Sequence, residues 1–187
     1  NLENKTLDDM KKLKEAGYNE LWFGVETGYQ KALDYINKGT NLDGYYRGLD
    51  KMKVAGIEYH AIVMQGIAGS GNSLINAKET AKVLNYYPPK GVYIMSTAVN
   101  EGSPLYYMRE RGEFIETTNR ENLEEQIYLL ENLEMPNETL YSSAHMVNMV
   151  SVSGHMDKKQ KMIEKLKYAL ETIDPEILDM TNQREAR

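Results

Sequence analysis

Glu26, Lys38 and the glycine loop from Gly66 to Ser73 are the residues of this 187-residue chain whose types and placement could do chemistry. Glu26 is the lone carboxylate of Gly24-Val25-Glu26-Thr27-Gly28, which closes an apolar run. A half-buried carboxylate is costly unless it meets a hydrogen-bond donor or a cation. The hydroxyls or ammonium group of a ligand would serve, and so would backbone amides at the start of the next helix. Lys38, in Asn37-Lys38-Gly39-Thr40, offers a point charge for a ligand carboxylate. A solvated lysine near a helix C-terminus has the same appearance in sequence. Gly66-Ile67-Ala68-Gly69-Ser70-Gly71-Asn72-Ser73 could hold an anion on free amides. It lacks the Gly-Lys-Ser/Thr ending of a phosphate loop and the spacing of a dinucleotide fingerprint, and a tight turn explains it nearly as well.

Other reactive residue types carry less. With no cysteine, the chain itself has no disulfide, no thiolate nucleophile and no cysteine-held metal centre. His60 falls near the start of a strand, away from the expected active rim, and reads as structural. His145 and His155 flank Asn148 without any metal-ligand spacing. The methionines fall mostly at apolar positions, as core filler. The tyrosine pairs at 45–46, 86–87 and 106–107 fit half-buried helical faces.

A helix, a glycine corner, an apolar strand and a glycine loop recur along the chain. Lys14 to Tyr18 leads into a strand over 20–25, and Lys53 to Ile57 leads into one over 59–65. Pro89-Lys90-Gly91 opens a third, Val92 to Ala98. Between them the caps and stops predict helices over 6–16, 29–38, 41–55 and 73–86. Nearly continuous apolar strands alternating with helices predict an α/β fold with a parallel sheet. Ligands in such sheets sit just past the carboxyl ends of the strands. That places Glu26, the Gly66 loop and the Ser96 to Ser103 loop on one rim. Helices near 104–112, 119–135 and 157–173 follow, with a further strand near 139–146.

The length fits about one domain. No run of about 18 apolar residues predicts a membrane span, and no signal peptide is visible at the start. The missing cysteines fit a cytoplasmic protein. A net charge of −6 argues mildly against a broad nucleic-acid face. Three clear parallel strands fall short of the roughly eight of a closed barrel or five to six of an open sheet. The chain is therefore expected to be part of a larger protein.

Four blocks carry a resemblance when taken in order: Gly24 to Gly28, Leu33-Asp34-Tyr35-Ile36-Asn37-Lys38-Gly39, Ile62 to Gly66, and Glu101-Gly102-Ser103-Pro104-Leu105-Tyr106. Together they resemble the radical S-adenosylmethionine superfamily. The nearest branch is that of oxygen-independent coproporphyrinogen oxidases and the Elongator catalytic subunit. The resemblance implies a partial TIM-type (β/α)6 barrel, of which residues 1–115 form the second half and 116–187 a C-terminal helical extension.

It also implies a role for each rim residue. Glu26 would contact the ribose of S-adenosylmethionine and Lys38 its carboxylate. Met64, Gly66 and the Ser96 to Ala98 region would line the adenosine. The family's cysteine motif for a [4Fe–4S] cluster and its glycine motif for the cofactor amino group are absent, and both belong to the other half of the barrel. The expectation is thus a piece of an iron–sulfur oxidoreductase that is inactive alone, with an unknown small-molecule substrate. The alternative is a non-redox α/β domain that binds a nucleotide or phosphate through the Gly66 loop, or a protein-interaction module. An exposed sheet edge would favour dimerisation.

Overall fold

A computed structural model describes residues 2–181. Four parallel strands are paired in chain order: β1 (Glu20–Glu26), β2 (Glu58–Gln65), β3 (Gly91–Ser96) and β4 (Leu140–Ser142). A three-residue antiparallel strand, β5 (Ser153–His155), closes the far edge. The three strands expected from sequence are β1 to β3. The further strand expected near 139–146 is β4, three residues long, and the segment expected as a helical extension also supplies β5.

The helices are α1 (Leu7–Glu15), α2 (Gln30–Tyr35), α3 (Leu42–Ala55), α4 (Ser73–Tyr86), α5 (Pro104–Glu110), α6 (Asn119–Asn132), α7 (Lys159–Thr172) and α8 (Pro175–Leu178). Local chemistry sets their ends. Thr6 with Asp9, and Thr118 with Glu121, form reciprocal capping boxes at α1 and α6. Each satisfies two orphan amides of a first turn. Gly56 stops α3 in the left-handed conformation, which costs glycine nothing. The tail beyond residue 181 lies outside the described residues.

Strand alternation gives the sheet two different faces. Tyr59, Ala61 and Val63 of β2, with Val92 and Ile94 of β3, are buried against Leu49, Met52, Leu84 and Leu130 of the helices. Each buried Val, Ile, Leu or Met among them contributes about 1.5–3 kcal/mol. The opposite face carries Trp22, Gly24, His60, Ile62, Met64, Tyr93 and Met95, which are half-buried or exposed. There Trp22 stacks on His60 at 4.2 Å between ring centroids and leans on Tyr93 at 4.6 Å. His60 also meets Glu20 at 3.0 Å. This half-open face, with helices behind it, is the wall of a partial α/β barrel.

Candidate functional site at the end of β1

The last residue of β1 leaves the strand in an unusual way. The register slips between Gly24, opposite Ile62, and Glu26, opposite Val63, a bulge of the kind that re-aims a side chain. Glu26 itself has φ +59°, a left-handed conformation that costs a non-glycine residue about 1–2 kcal/mol. Thr27 N–H donates back to the Val25 carbonyl at 2.7 Å and closes a three-residue turn over Glu26.

Eleven residues later the chain makes a second such departure. Asn37, which follows α2, has φ +48°, and it delivers Lys38 to the turn at Glu26. The Lys38 ammonium donates to Glu26 Oε1 at 2.6 Å, with the two side chains 25% and 17% exposed. Among the described residues these are the non-glycine residues with positive φ, so both backbone strains converge on one ion pair. Strain of this sort persists where the surroundings over-determine it, commonly at binding sites.

Gly24 makes the geometry possible, because a Cβ there would occupy the place of Glu26 Oε1. From behind, the Tyr45 hydroxyl donates to the Val25 carbonyl at 2.7 Å. Burial first, and then the Glu26 charge, raise the Tyr45 pKa well above the ordinary value, so the hydroxyl stays a donor. A cleft of about 360 Å³ opens beside the pair, with Trp22, Gly24, Lys38, Thr40 and Tyr45 among its walls. Its size is within the range of small-molecule sites.

The remaining expected residues have other surroundings. Met64 lies half-buried on the open face, level with Met95 of β3, and Ala98 is half-buried in the loop after β3. The Ser96 hydroxyl accepts from Gln65 Nε2 at 2.8 Å and donates to Asn148 Oδ1 at 2.9 Å. Asn148 Nδ2 in turn donates to the carbonyls of Ile94 and Ser143. Asn148 is therefore a buried brace between β3 and the loop after β4. Gly66 has φ +77°, packs against Thr117 and Asn122, and donates its N–H to Glu125 Oε2 at 3.1 Å.

The anion-binding reading of the glycine loop fails on its amides. Gly71 N–H donates to Glu121 Oε1 at 2.7 Å and Ser70 N–H to the Ile115 carbonyl at 2.8 Å. Gly69 N–H is bonded to the Gly66 carbonyl. Two glutamates of α6 thus occupy positions an external anion would need. Their environments differ. Burial opposes ionisation of Glu121, but the amides of Thr118 and Gly71 and the Ser70 hydroxyl hold its carboxyl below the usual range. Burial pushes Glu125, 3% exposed, up to about 7, with Asn76 and Gly66 only partly offsetting it.

Gly24, Asn37 and Glu125 escaped the sequence reading. Glu121 and Glu125 lie four apart on one helix face, a repulsive spacing unless something else satisfies them. That was the available signal for Glu125. Gly24 and Asn37 had none beyond their neighbours. His155 Nδ1 lies 2.8 Å from the Glu138 carbonyl. Among the described residues no cluster of three or more His, Cys, Asp or Glu could hold a metal ion. Among them, too, no helix is long and apolar enough to cross a membrane.

No protein-family model matches the chain. Over 115 residues it is 30% identical to an uncharacterized protein of Methanocaldococcus jannaschii, covering 60% of this chain and 35% of that protein. Among solved structures it is similar to the archaeal Elp3 of Methanocaldococcus infernus with an N-terminal deletion (1-46). That likeness has a TM-score of 0.64 and 21% identity, and covers 89% of this chain and 39% of the other. The chain therefore spans between a third and two-fifths of the length of these two proteins. The likeness extends over nearly the whole described sheet and its helices, and it shows the fold.

Proposed function

We propose that this chain is part of a radical S-adenosylmethionine enzyme and supplies the ribose and carboxylate side of the cofactor site through Glu26 and Lys38. The observation that carries the reading is the Glu26–Lys38 pair, built on two left-handed residues and on a glycine that makes room for the carboxylate. The fold it shares with Elp3, an Elongator catalytic subunit in the family the sequence resembles, supports it.

The side chains suit the cofactor's polar groups. A carboxylate accepts from a vicinal diol, and an ammonium donates to a carboxylate. The two charges satisfy each other at 2.6 Å. A ligand carrying both a diol and a carboxylate replaces each partner in kind, so neither charge is left bare. Gly24 keeps the floor of the site low, and the Tyr45 hydroxyl holds the Val25 carbonyl out of the way. The chemistry such a cofactor supplies in this family is hydrogen abstraction from the substrate. The residues present do not fit the iron–sulfur cluster, since the chain has no cysteine. Its ligands would come from another part of the parent barrel, whose strands would add at the β1 edge.

The test uses the parent protein, reconstituted anaerobically with iron and sulfide. It should release 5′-deoxyadenosine from S-adenosylmethionine, and Glu26→Gln should weaken cofactor binding by about tenfold or more, the worth of one charged hydrogen bond. A cluster-loaded parent that releases none would remove the reading.

A further inference from the structure

Behind the Glu26 turn, a buried line of hydrogen bonds runs to α6. Glu125 Oε2 accepts from Gly66 N–H at 3.1 Å and Oε1 accepts from Asn76 Nδ2 at 2.6 Å. Asn76 Oδ1 accepts from the Thr27 hydroxyl, and Thr27 Oγ1 accepts from Tyr29 N–H at 2.8 Å. Thr27, Asn76 and Glu125 are all buried. Gly28 N–H adds a bond to Thr80 Oγ1 at 2.9 Å.

With Glu125 ionised, the direction of every bond in this line is forced. Gly66 N–H can only donate, so Glu125 must accept there. An ionised Glu125 offers only acceptors, so Asn76 turns its NH₂ toward it and its oxygen toward Thr27. The Thr27 hydroxyl must then donate to Asn76 while it accepts from Tyr29 N–H. A carboxylate at 125 is what this order requires, since both groups facing it are donors.

We propose that Glu125 is a positioning residue for Glu26: through Asn76 and Thr27 it fixes the strained turn that aims the Glu26 carboxylate at Lys38. The functional meaning rests on the reading of Glu26 as a cofactor contact, whereas the mechanical link stands on the bonds themselves. Thr27 closes the turn with its N–H on the Val25 carbonyl, and its side chain is the end of the line. An amide at 125 would turn an NH₂ toward Asn76. Asn76 would then reverse, and the Thr27 proton would lose its acceptor. Asp at 76 with Gln at 125 restores the order with shape and net charge unchanged.

The test is a set of isotope-labelled chains, observed by NMR at about pH 8: wild type, Glu125→Gln, Asn76→Asp, the double variant N76D/E125Q, and Thr27→Val. The readouts are the Glu26 ¹³Cα and ¹³Cβ shifts, which report the left-handed φ, and the Thr27 amide. Glu125→Gln and Thr27→Val should both move Glu26 away from its wild-type values, and N76D/E125Q should return it. Unchanged Glu26 shifts in Glu125→Gln would overturn the proposal, as would a double variant as perturbed as the singles. If Glu125→Gln does not fold, the double variant decides: wild-type Glu26 shifts support the link, and any others reject it. S-adenosylmethionine binding by the cluster-loaded parent separates the two readings. Cofactor affinity unchanged by Glu26→Gln in the parent, beside a restored double variant, would count against the proposed function and leave the link in place.

Discussion

At the end of β1 a glutamate faces a lysine across a half-open cleft, while at the end of β2 a glutamate from α6 is sealed over the Gly66 amide. Glu26 balances its charge with a cation. The described partners of Glu125 are neutral donors, Asn76 and Gly66. The first arrangement exchanges partners at little cost, because a ligand can replace Lys38 while water still reaches the cleft. The second cannot, because each donor released would be buried and unpaired. Under the proposed function the two strand ends on one rim divide the work, one for recognition and one for rigidity, although in sequence each is open to either role. The glycine-rich segment reads as an anion loop or a tight turn, and the lone Glu26 as a ligand contact or a helix-start residue.

The largest expected effect tests the sealed end. Gly66→Ala places a methyl against Thr117 Oγ1 and Asn122 Oδ1, which are bonded to each other at 2.8 Å. It also forces alanine into φ +77°. Strain and overpacking together should cost about 3 kcal/mol in urea denaturation. A loss below about 1 kcal/mol would mean that this end yields as readily as the other.

The next effect reads the charge on Glu125. Its folded pKa of about 7 lies above the ordinary 4.5. Between those values the native state keeps a proton that the unfolded chain has released. The stability linked to this group is fully present below about 4.5 and is lost as pH rises through about 7. Wild type should therefore lose on the order of 2 kcal/mol relative to Glu125→Gln over that window. Parallel stability curves for the two proteins would show that Glu125 is solvated and that the seal is not real.

At the open end the stability effect is smaller. Lys38→Met or Glu26→Gln leaves one partner of a partly exposed pair unopposed, with a loss of about 1 kcal/mol. The double variant should lose no more than the worse single one. Additive losses in that cycle would mean the two residues do not act as a pair.

Much of this was open to reading in the sequence. Thr6 and Asp9, Gly56, Ser103-Pro104 and Thr118 mark helix ends by local chemistry that needs no tertiary context, and the observed boundaries follow them closely. The apolar runs placed β1 to β3, and the strand-end rule put Glu26 on one rim with the Gly66 and Ser96 loops, while the resemblance set Lys38 beside the same cofactor. What stayed hidden depends on contacts distant in sequence. The three-residue β5 carries too little periodicity to register, since its pairing with β4 defines it, and of β4 only the approximate place near 139–146 was legible. Gly66 and Ser96 looked like ligand contacts because their own segments cannot show Glu125 and Asn148, more than fifty residues away, already bonded to them. The positive φ of Glu26 and Asn37 likewise comes from the assembled turn, not from residue type.

The smallest change in stability gives the sharpest contrast, since Gly24→Ala adds the same methyl as Gly66→Ala. At Gly24 the obstacle is the tip of the Glu26 side chain, with Lys38 Nζ 3.1 Å away. A flexible carboxylate can swing aside, whereas the Thr117–Asn122 wall cannot. Gly24→Ala should therefore cost under about 1 kcal/mol while displacing Glu26 from its place over β1. Cofactor binding by the parent should then fall as far as it does in Glu26→Gln, with the melting temperature nearly unchanged. If alanine at 24 instead destabilised the fold as much as alanine at 66, the Glu26 turn would be as rigid as the sealed loop. A carboxylate that cannot move aside cannot exchange Lys38 for a ligand, and the cleft beside β1 would then be a structural gap with no recognition role.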